Sequence, residues 1–431
     1  MIPKLLTPLI FLLLLLFVII KYAIKLLTFP FFWLRAKLFS QPDWMIICLS
    51  HVAWNHIWQR NHHTMTRLAL RRRVVYFEHS GHSYLHVYAH LLAHCVLKPD
   101  SLNKLFFNRN PKGVHQRFFL LLPGESRLSF IALLNARLIA FEILFERTRY
   151  GGSPYILWFY YPAGVKVLDI LKPLSVVYDI QDKYSAFLWA PKDITEREAR
   201  MLQHAKVVFP GTYALHESRP HANKHFFPCA VEYNHFNAAA QPDAKTRFIP
   251  PIQIRSFAGK APVLMYAGLI DIRIDPKILI HVAESEPTWQ IVMIGPFEQA
   301  FRQSSTFPKN IHFTDSQPYA DLPKWFTWAD VLLMPWAKNE LTEHINPTKT
   351  LEYFSARRPV VATAIPDLRK FYSDTCLLSD TADEFLANCR KALAGIPTEQ
   401  LDRAEEKAKS FAWEEVVAEM ERQIVKTFPV T

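Results

Sequence analysis

Beyond residue 40 the chain alternates between short apolar, β-branched runs and stretches with helical spacing. "WMIICLS" (44–50), "RVVYFE" (73–78), "YILWFYY" (155–161), "LSVVYDI" (174–180) and "AKVVFP" (205–210) read as buried strands. Between them, "DITEREARMLQHA" (193–205) reads as a helix. Strands apolar on both faces, separated by helices, predict a doubly wound parallel α/β sheet. Residues 238–261 break the rhythm with three prolines and several charges, and read as a linker. A second series follows: strands in "PVLMYAGLI" (262–270), "WQIVMIGPF" (289–297), "NIHFT" (310–314) and "DVLLMPW" (330–336), then an amphipathic tail helix at 414–428. The expected order is an N-terminal segment 1–40, a domain 41–240, a linker 241–261, a domain 262–410, and a final helix 411–431 crossing back to the first domain. Two such domains facing a central cleft hold a ligand outside the carboxyl ends of their strands.

The N-terminal run "LLTPLIFLLLLLFVII" (5–20) carries no charge. No A-x-A-like cleavage site follows it, which favours a retained hydrophobic membrane-anchor helix over a signal peptide. Lys21 and Lys25 are expected to snorkel toward headgroups, and the aromatic cluster at 29–34 to sit at the interface. Lys21, Lys25, Arg35 and Lys37 outweigh Lys4, so the expectation is a single N-terminal anchor with the other domains facing the cytoplasm.

The length of 431 residues fits two cores better than one. A net charge of +11 favours anionic partners such as phosphates or anionic lipid. The basic residues are scattered and no nucleic-acid motif is present, so no nucleic-acid partner is expected. Five widely spaced cysteines without a CxxC argue against a disulfide framework or a zinc site and fit a reducing compartment. His82, His86, His90 and His94 would share a helix face; a metal site competes there with a half-buried face, and the second is simpler, so no metal is expected.

The candidate chemistry centres on "NPTKTLEYFSARRPVVAT" (346–363). Asn346 suits an N-cap and Pro347 the first helical position. The backbone there, through Thr348, would offer free amides to an anion, and Lys349 adds a charge in the first turn. Glu352, about one turn on, could accept hydrogen bonds from a ribose diol. Diphosphate plus ribose describes a nucleotide sugar; an ordinary capped helix with a surface Glu–Lys pair is the competing reading. Gly268 and Gly295 each end an apolar strand, where a ligand could approach the backbone. Arg273 either neutralises a phosphate or balances Asp271 and Asp275. In the first domain the loop after the first strand carries His51, Trp54, Asn55 and Arg60. Trp54 and Trp58 would share a helix face, as core or as a sugar platform. Arg60 could stabilise an acceptor or phosphate, and Asp179 or Asp182 could serve as a base. Arg71 to Arg73 would either touch anionic lipid or end a solvated helix.

The order "YAGLIDIRID", "IVMIGP", "NIHFTDSQPYADLPKWFTWADVLLMPW", "NPTKTLEYFSARRPVVAT" resembles the C-terminal domain of GT-B glycosyltransferases, closest to family 4, the retaining sugar-nucleotide transferases. Within it the chain resembles a bacterial subgroup that makes surface polysaccharides and glycolipids. "SHVAWNHIWQRNHHTMTRLALRRRVVYFE", "VVYDIQDKYSAF" and "VVFPGTYAL…FFPCAVEYNHF" extend the resemblance into the first domain. It implies a GT-B fold of two Rossmann-like domains and transfer of a sugar from a nucleotide-diphosphate donor to a lipid-linked or glycan acceptor, with no cofactor beyond the donor. By motif position Glu352 would bind ribose, and Lys349 with Arg273 would bind phosphate. His344 stands where the family often has a glutamate; Glu340 and Glu343 are substitutes in the same loop. Arg358 stands where a glycine is usual, Cys229-Ala230 replaces Asn-Gly, and Tyr178-Asp179 replaces His-Asp. These departures keep a second reading open: a GT-B scaffold without turnover in a glycan assembly complex.

Overall fold

A computed structural model describes residues 7–38, 43–54, 58–78, 113–119, 121–122, 128–187, 190–303, 305–339, 342 and 348–429. Two compact units divide them. The first draws on Met1–Gly211, Leu215–Phe226 and Val417–Thr431, the second on Thr212–Ala214 and Phe227–Val416.

The first unit holds a six-stranded parallel sheet of β1 (Met45–Ser50), β2 (Val74–Glu78), β3 (His115–Phe118), β4 (Tyr155–Phe159), β5 (Ser175–Ile180) and β6 (Val207–Pro210). Its spatial order is β3-β2-β1-β4-β5-β6. The second unit repeats the plan with β7 (Val263–Ala267), β8 (Gln290–Ile294), β9 (Ile311–Thr314), β10 (Val331–Met334), β11 (Val360–Thr363) and β12 (Leu377–Ser379) in the order β12-β11-β10-β7-β8-β9. Both sheets therefore reverse strand order beside their first strand, between β1 and β4 and between β7 and β10. Such a switch point is where open α/β sheets bind ligands.

The helices that matter below are α1 (Thr7–Leu38), α2 (Arg60–Leu68), α3 (Ser129–Arg149), α4 (Ile194–His204), α5 (Pro276–Ser285), α6 (Lys349–Ser355), α7 (Ala382–Ala394), α8 (Thr398–Ser410) and α9 (Trp413–Val425). Asp275 caps α5 by accepting from the Lys277 amide at 2.9 Å, with Pro276 at the first position. Every residue of β1, β4, β5, β7 and β10 is buried, as the unbroken apolar runs require.

Several expectations change. Residues 241–261 are not a free linker: Ile254 and Ala258 enter the core of the second unit, and the Trp328 indole donates to the Phe248 carbonyl at 2.8 Å. Lys21 and Lys25 do not snorkel. Both ammonium groups are buried against Glu142 of α3, Lys21 at 2.7 Å. The reason is electrostatic: Glu142 lies at 1% exposure and needs a counter-charge. Among the described residues no helix is long and apolar enough to cross a membrane. Arg71 and Arg73 are exposed and Arg72 is half-buried, each with a partner in the first unit. Arg72 pairs with Glu421 of α9 at 2.9 Å and with Asp43, Arg71 pairs with Glu421 at 3.6 Å, and Arg73 donates to the Tyr150 carbonyl. The histidine stripe His82–His94 lies outside the described residues; among those described, no cluster could hold a metal ion.

Candidate functional site

The second unit assembles its site at the β7/β10 switch point. The amide of Gly268 donates to the Ile294 carbonyl at 2.8 Å and that of Gly295 to Thr314 at 3.2 Å, so pairing runs on past the strand ends. A Cβ on Gly295 would fall 2.0 Å from the Gly268 carbonyl oxygen. A Cβ on Gly268 would fall 2.1 Å from the Lys349 Cε and 2.8 Å from the Tyr266 hydroxyl. Both glycines are therefore required by close approach, and the second approach is that of the Lys349 side chain itself.

What fixes Lys349 is the body of α6. The Ala267 amide donates to the Tyr353 hydroxyl at 3.0 Å, tying the middle of the helix to the end of β7. Thr350 Oγ1 reaches the Met334 sulfur at 3.6 Å, tying the first turn to the end of β10. Lys349 is thus laid across Gly268. Among the described residues its ammonium has no hydrogen-bond or ion-pair partner, which leaves its charge open to an anion. Glu352 is half-buried one turn on. Burial pushes its carboxyl up; Lys349 and His235 pull it back, and Glu232 adds to the rise. Thr348 is already in the right-handed helical region, and its carbonyl accepts from Leu351 at 3.2 Å. Asn346, Pro347, His344, Glu340 and Glu343 lie outside the described residues.

Arg273 is paired with Asp271, one of the two carboxylates named beside it in the sequence. Its guanidinium grips Asp271 in a fork, with Nε at 2.9 and 3.0 Å from the two oxygens and a terminal nitrogen at 2.8 Å. A carboxylate that close neutralises the charge a phosphate would need. The loop is nevertheless at the site, because the buried Tyr266 phenol senses Arg273, Asp271 and Glu352 together.

The first unit places its candidates at the β1/β4 switch point. The His51 ring stands 5.3 Å from both the Tyr161 and Tyr184 rings. Arg60 is not open to an acceptor: it is buried, 3.0 Å from Asp179. Burial pushes the Asp179 carboxyl up, with Arg60 opposing; Gln181 donates to the same carboxylate at 2.5 Å. Asp179 is therefore a structural counter-charge, while Asp182 stands exposed in the following loop. Trp54 and Trp58 share no helix, since α2 starts at Arg60; Trp54 is core, its ring 4.9 Å from Tyr76 and 5.8 Å from Trp58. Asn55 lies outside the described residues.

Sequence reasoning missed Glu78. It ends β2 at the same sheet edge and accepts the Trp54 amide at 2.8 Å. Burial pushes its carboxyl up to about 7. The signal was present: a lone carboxylate closing the apolar run "VVYFE".

Residues 272–394 match the family model described as glycosyl transferases group 1, which spans α5 to α7 and includes Lys349 and Glu352. Over that stretch the chain is similar to the group 1 glycosyltransferases, and its two-sheet fold is similar to that of GT-B structures. It is 25% identical over 265 residues to the putative teichuronic acid biosynthesis glycosyltransferase TuaH of Bacillus subtilis (strain 168), covering 56% of this chain and 64% of that relative. In fold it is similar to sucrose-phosphate synthase from Thermosynechococcus elongatus, with a TM-score of 0.59 at 16% identity over 89% of this chain and 99% of the other. It is likewise similar to Anabaena HepE in complex with UDP-glucose, with a TM-score of 0.59 at 11% identity over 89% and 99%.

Proposed function

We propose that this chain moves a glycosyl group from a nucleoside-diphosphate sugar to a lipid-linked or glycan acceptor in cell-surface polysaccharide or glycolipid synthesis, at a membrane, with its two units on the cytoplasmic side. The observation that carries the reading is the Lys349 ammonium laid across Gly268 with no hydrogen-bond or ion-pair partner among the described residues, Glu352 one turn behind it. In the transfer, the bond from the anomeric carbon to the diphosphate oxygen breaks and its electron pair leaves on the diphosphate. The acceptor oxygen forms the new bond and gives its proton to a base. Lys349 stabilises the negative charge that grows on the departing diphosphate. Glu352 holds the ribose diol. Asp182, exposed after β5, is our candidate base, and His51 with the loop after β1 our acceptor side. Retention at the anomeric carbon is the outcome implied by the family resemblance.

HepE has been solved with UDP and with UDP-glucose, which makes UDP the first probe. Thermal shift against UDP, GDP, ADP and CMP is expected to show one diphosphate stabilising the protein by several degrees. At ligand a hundredfold above Kd the gain is about 2.7 kcal/mol. Lys349→Ala and Glu352→Ala should each lose that shift. No shift with any nucleotide would remove the donor site from α6. The fork between Arg273 and Asp271 favours one alternative, a nucleotide-binding scaffold that has lost turnover. That reading gains if nucleotide binds and neither transfer nor donor hydrolysis is detected.

A further inference from the structure

We propose that the acceptor meets this chain as a sugar: a pyranose ring laid on the Trp58 indole, with sugar hydroxyls on the Glu78 carboxylate. This rests on the transfer reading above and names the part of the acceptor that the first unit receives.

The loop after β1 is fixed before any ligand arrives. The Val52 amide donates to the Ser50 hydroxyl at 3.2 Å, and the Val52 carbonyl accepts from the Tyr76 hydroxyl at 2.7 Å. The Ala53 carbonyl lies 3.2 Å from His62 Nε2, and the Trp54 amide donates to Glu78 at 2.8 Å. Asn61 donates to the Ser50 and Tyr76 hydroxyls at 3.1 and 2.5 Å. Three consecutive residues are thus held by side chains of β1, β2 and α2. Such order lowers the entropy lost when a ligand is seated.

Two groups rise from that frame. Trp58 is 36% exposed; its ring stacks on His62 with centroids 5.0 Å apart and meets Trp54 edge-to-face at 5.8 Å. Those contacts orient the indole while part of it reaches the surface. Glu78 is half-buried, and among the described residues its carboxylate takes one hydrogen bond, from the Trp54 amide. A carboxylate has room for about four. Trp54 joins the two groups: its amide holds Glu78 and its ring holds Trp58.

An aromatic face beside a carboxylate matches a pyranose. Such a ring has a face of C–H groups and a rim of hydroxyls. The first buries on an indole; the second donates to a carboxylate. A phosphate does not match. Arg60 is the only arginine or lysine between residues 50 and 64, and it is buried 3.0 Å from Asp179. An alkyl chain would leave the carboxylate without a donor. Nor does the loop itself call for the charge. Burial pushes Glu78 up to about 7, and a glutamine would accept the Trp54 amide without that penalty.

The test uses the full chain and saturation-transfer NMR. The probes are methyl α-D-glucoside, methyl β-D-galactoside, methyl N-acetyl-β-D-glucosaminide and, as a lipid phosphate, farnesyl phosphate. At least one glycoside is expected to bind, saturated most strongly at the C–H groups of one ring face. Trp58→Ala should weaken it about tenfold, and Trp58→Tyr should keep most of the affinity. Trp58→Leu fills the space without an aromatic face and should behave as the alanine variant does, which covers an alanine variant that disturbs the loop. Glu78→Gln still accepts the Trp54 amide, so the loop keeps its place. It should weaken binding about fivefold, since neutral hydrogen bonds replace charge-assisted ones. Unchanged binding in Trp58→Leu, or no bound glycoside, would overturn the proposal. Binding of farnesyl phosphate alone would assign this edge to a prenyl phosphate instead. If no nucleotide stabilises the protein while a glycoside still binds at Trp58, the transfer reading falls and the sugar site stands. Nucleotide binding without any glycoside would remove the sugar site and leave the transfer reading in place.

Discussion

At the scale of single residues, one edge of the first sheet holds its two carboxylates differently. Asp179 is buried with a guanidinium; Glu78 is half-buried with only the Trp54 amide recorded as favouring its charged form. Its folded value of about 7 lies above the ~4.3 of an unfolded glutamate. Folded protein therefore holds the extra proton between those values. The stability this supplies is fully present below about pH 4.3 and is lost as pH rises through 7. Glu78→Gln keeps the acceptor for the Trp54 amide and cannot ionise. It should match wild type near pH 4 and exceed it at pH 8 by about 1–3 kcal/mol, read from urea midpoints. A gap of the same size at both values would show that the carboxyl does not titrate with folding. Glu78 was legible only as the polar end of an apolar run. Its meaning depends on the loop that returns Trp54 over it, which spacing does not encode. Arg60 and Arg273 show a related limit: a cation in a promising loop says nothing about the carboxylate it pairs with.

At the scale of elements, nine of the twelve strands lie within the apolar runs read as strands, because buried parallel strands leave an unbroken signature. β3 was missed since "HQRF" has no such run; its Arg117 is buried by pairing with Glu146 at 3.0 Å. β12 was missed because three residues carry no pattern. The end of α6 shows another limit. The family glycine was expected at 358, yet the left-handed residue is Arg357, with φ of 50°. Arg358 instead donates to the Phe326 and Thr327 carbonyls at 3.2 and 3.1 Å. Arg357 offsets its backbone cost by pairing with Asp402 at 2.7 Å and with Glu405, both on α8. A left-handed non-glycine residue costs roughly 1–2 kcal/mol, and each exposed pair returns about 0–1. Arg357→Gly should therefore be near neutral, and Arg357→Ala about 1 kcal/mol less stable than the glycine variant. Chemical denaturation of the two variants side by side decides it; an alanine variant as stable as the glycine one would refute the strain.

At the scale of the whole molecule, the chain closes its first unit with its last residues. Val417–Thr431 belong to that unit although Phe227–Val416 form the other. The contacts are specific: Glu421 with Arg72, the Phe428 ring 5.4 Å from Trp44, and the Thr427 hydroxyl 2.6 Å from that of Ser175. Trp44 precedes β1 and Ser175 opens β5, so the tail touches the N-terminal ends of strands, opposite the edge that carries His51 and Glu78. Removing residues 417–431 should therefore destabilise the first unit and leave the proposed donor site intact. Calorimetry of the full chain with the stabilising nucleotide should raise the transition of the second unit. The truncated chain should keep that response and lose several degrees from the other transition, since Val417, Met420 and Ile424 are all buried and each forfeits about 1.5–3 kcal/mol of apolar burial. If truncation lowered both transitions equally, or removed the nucleotide response, the two units would fold as one, and the tail would be a support for the donor site as well as for the acceptor side.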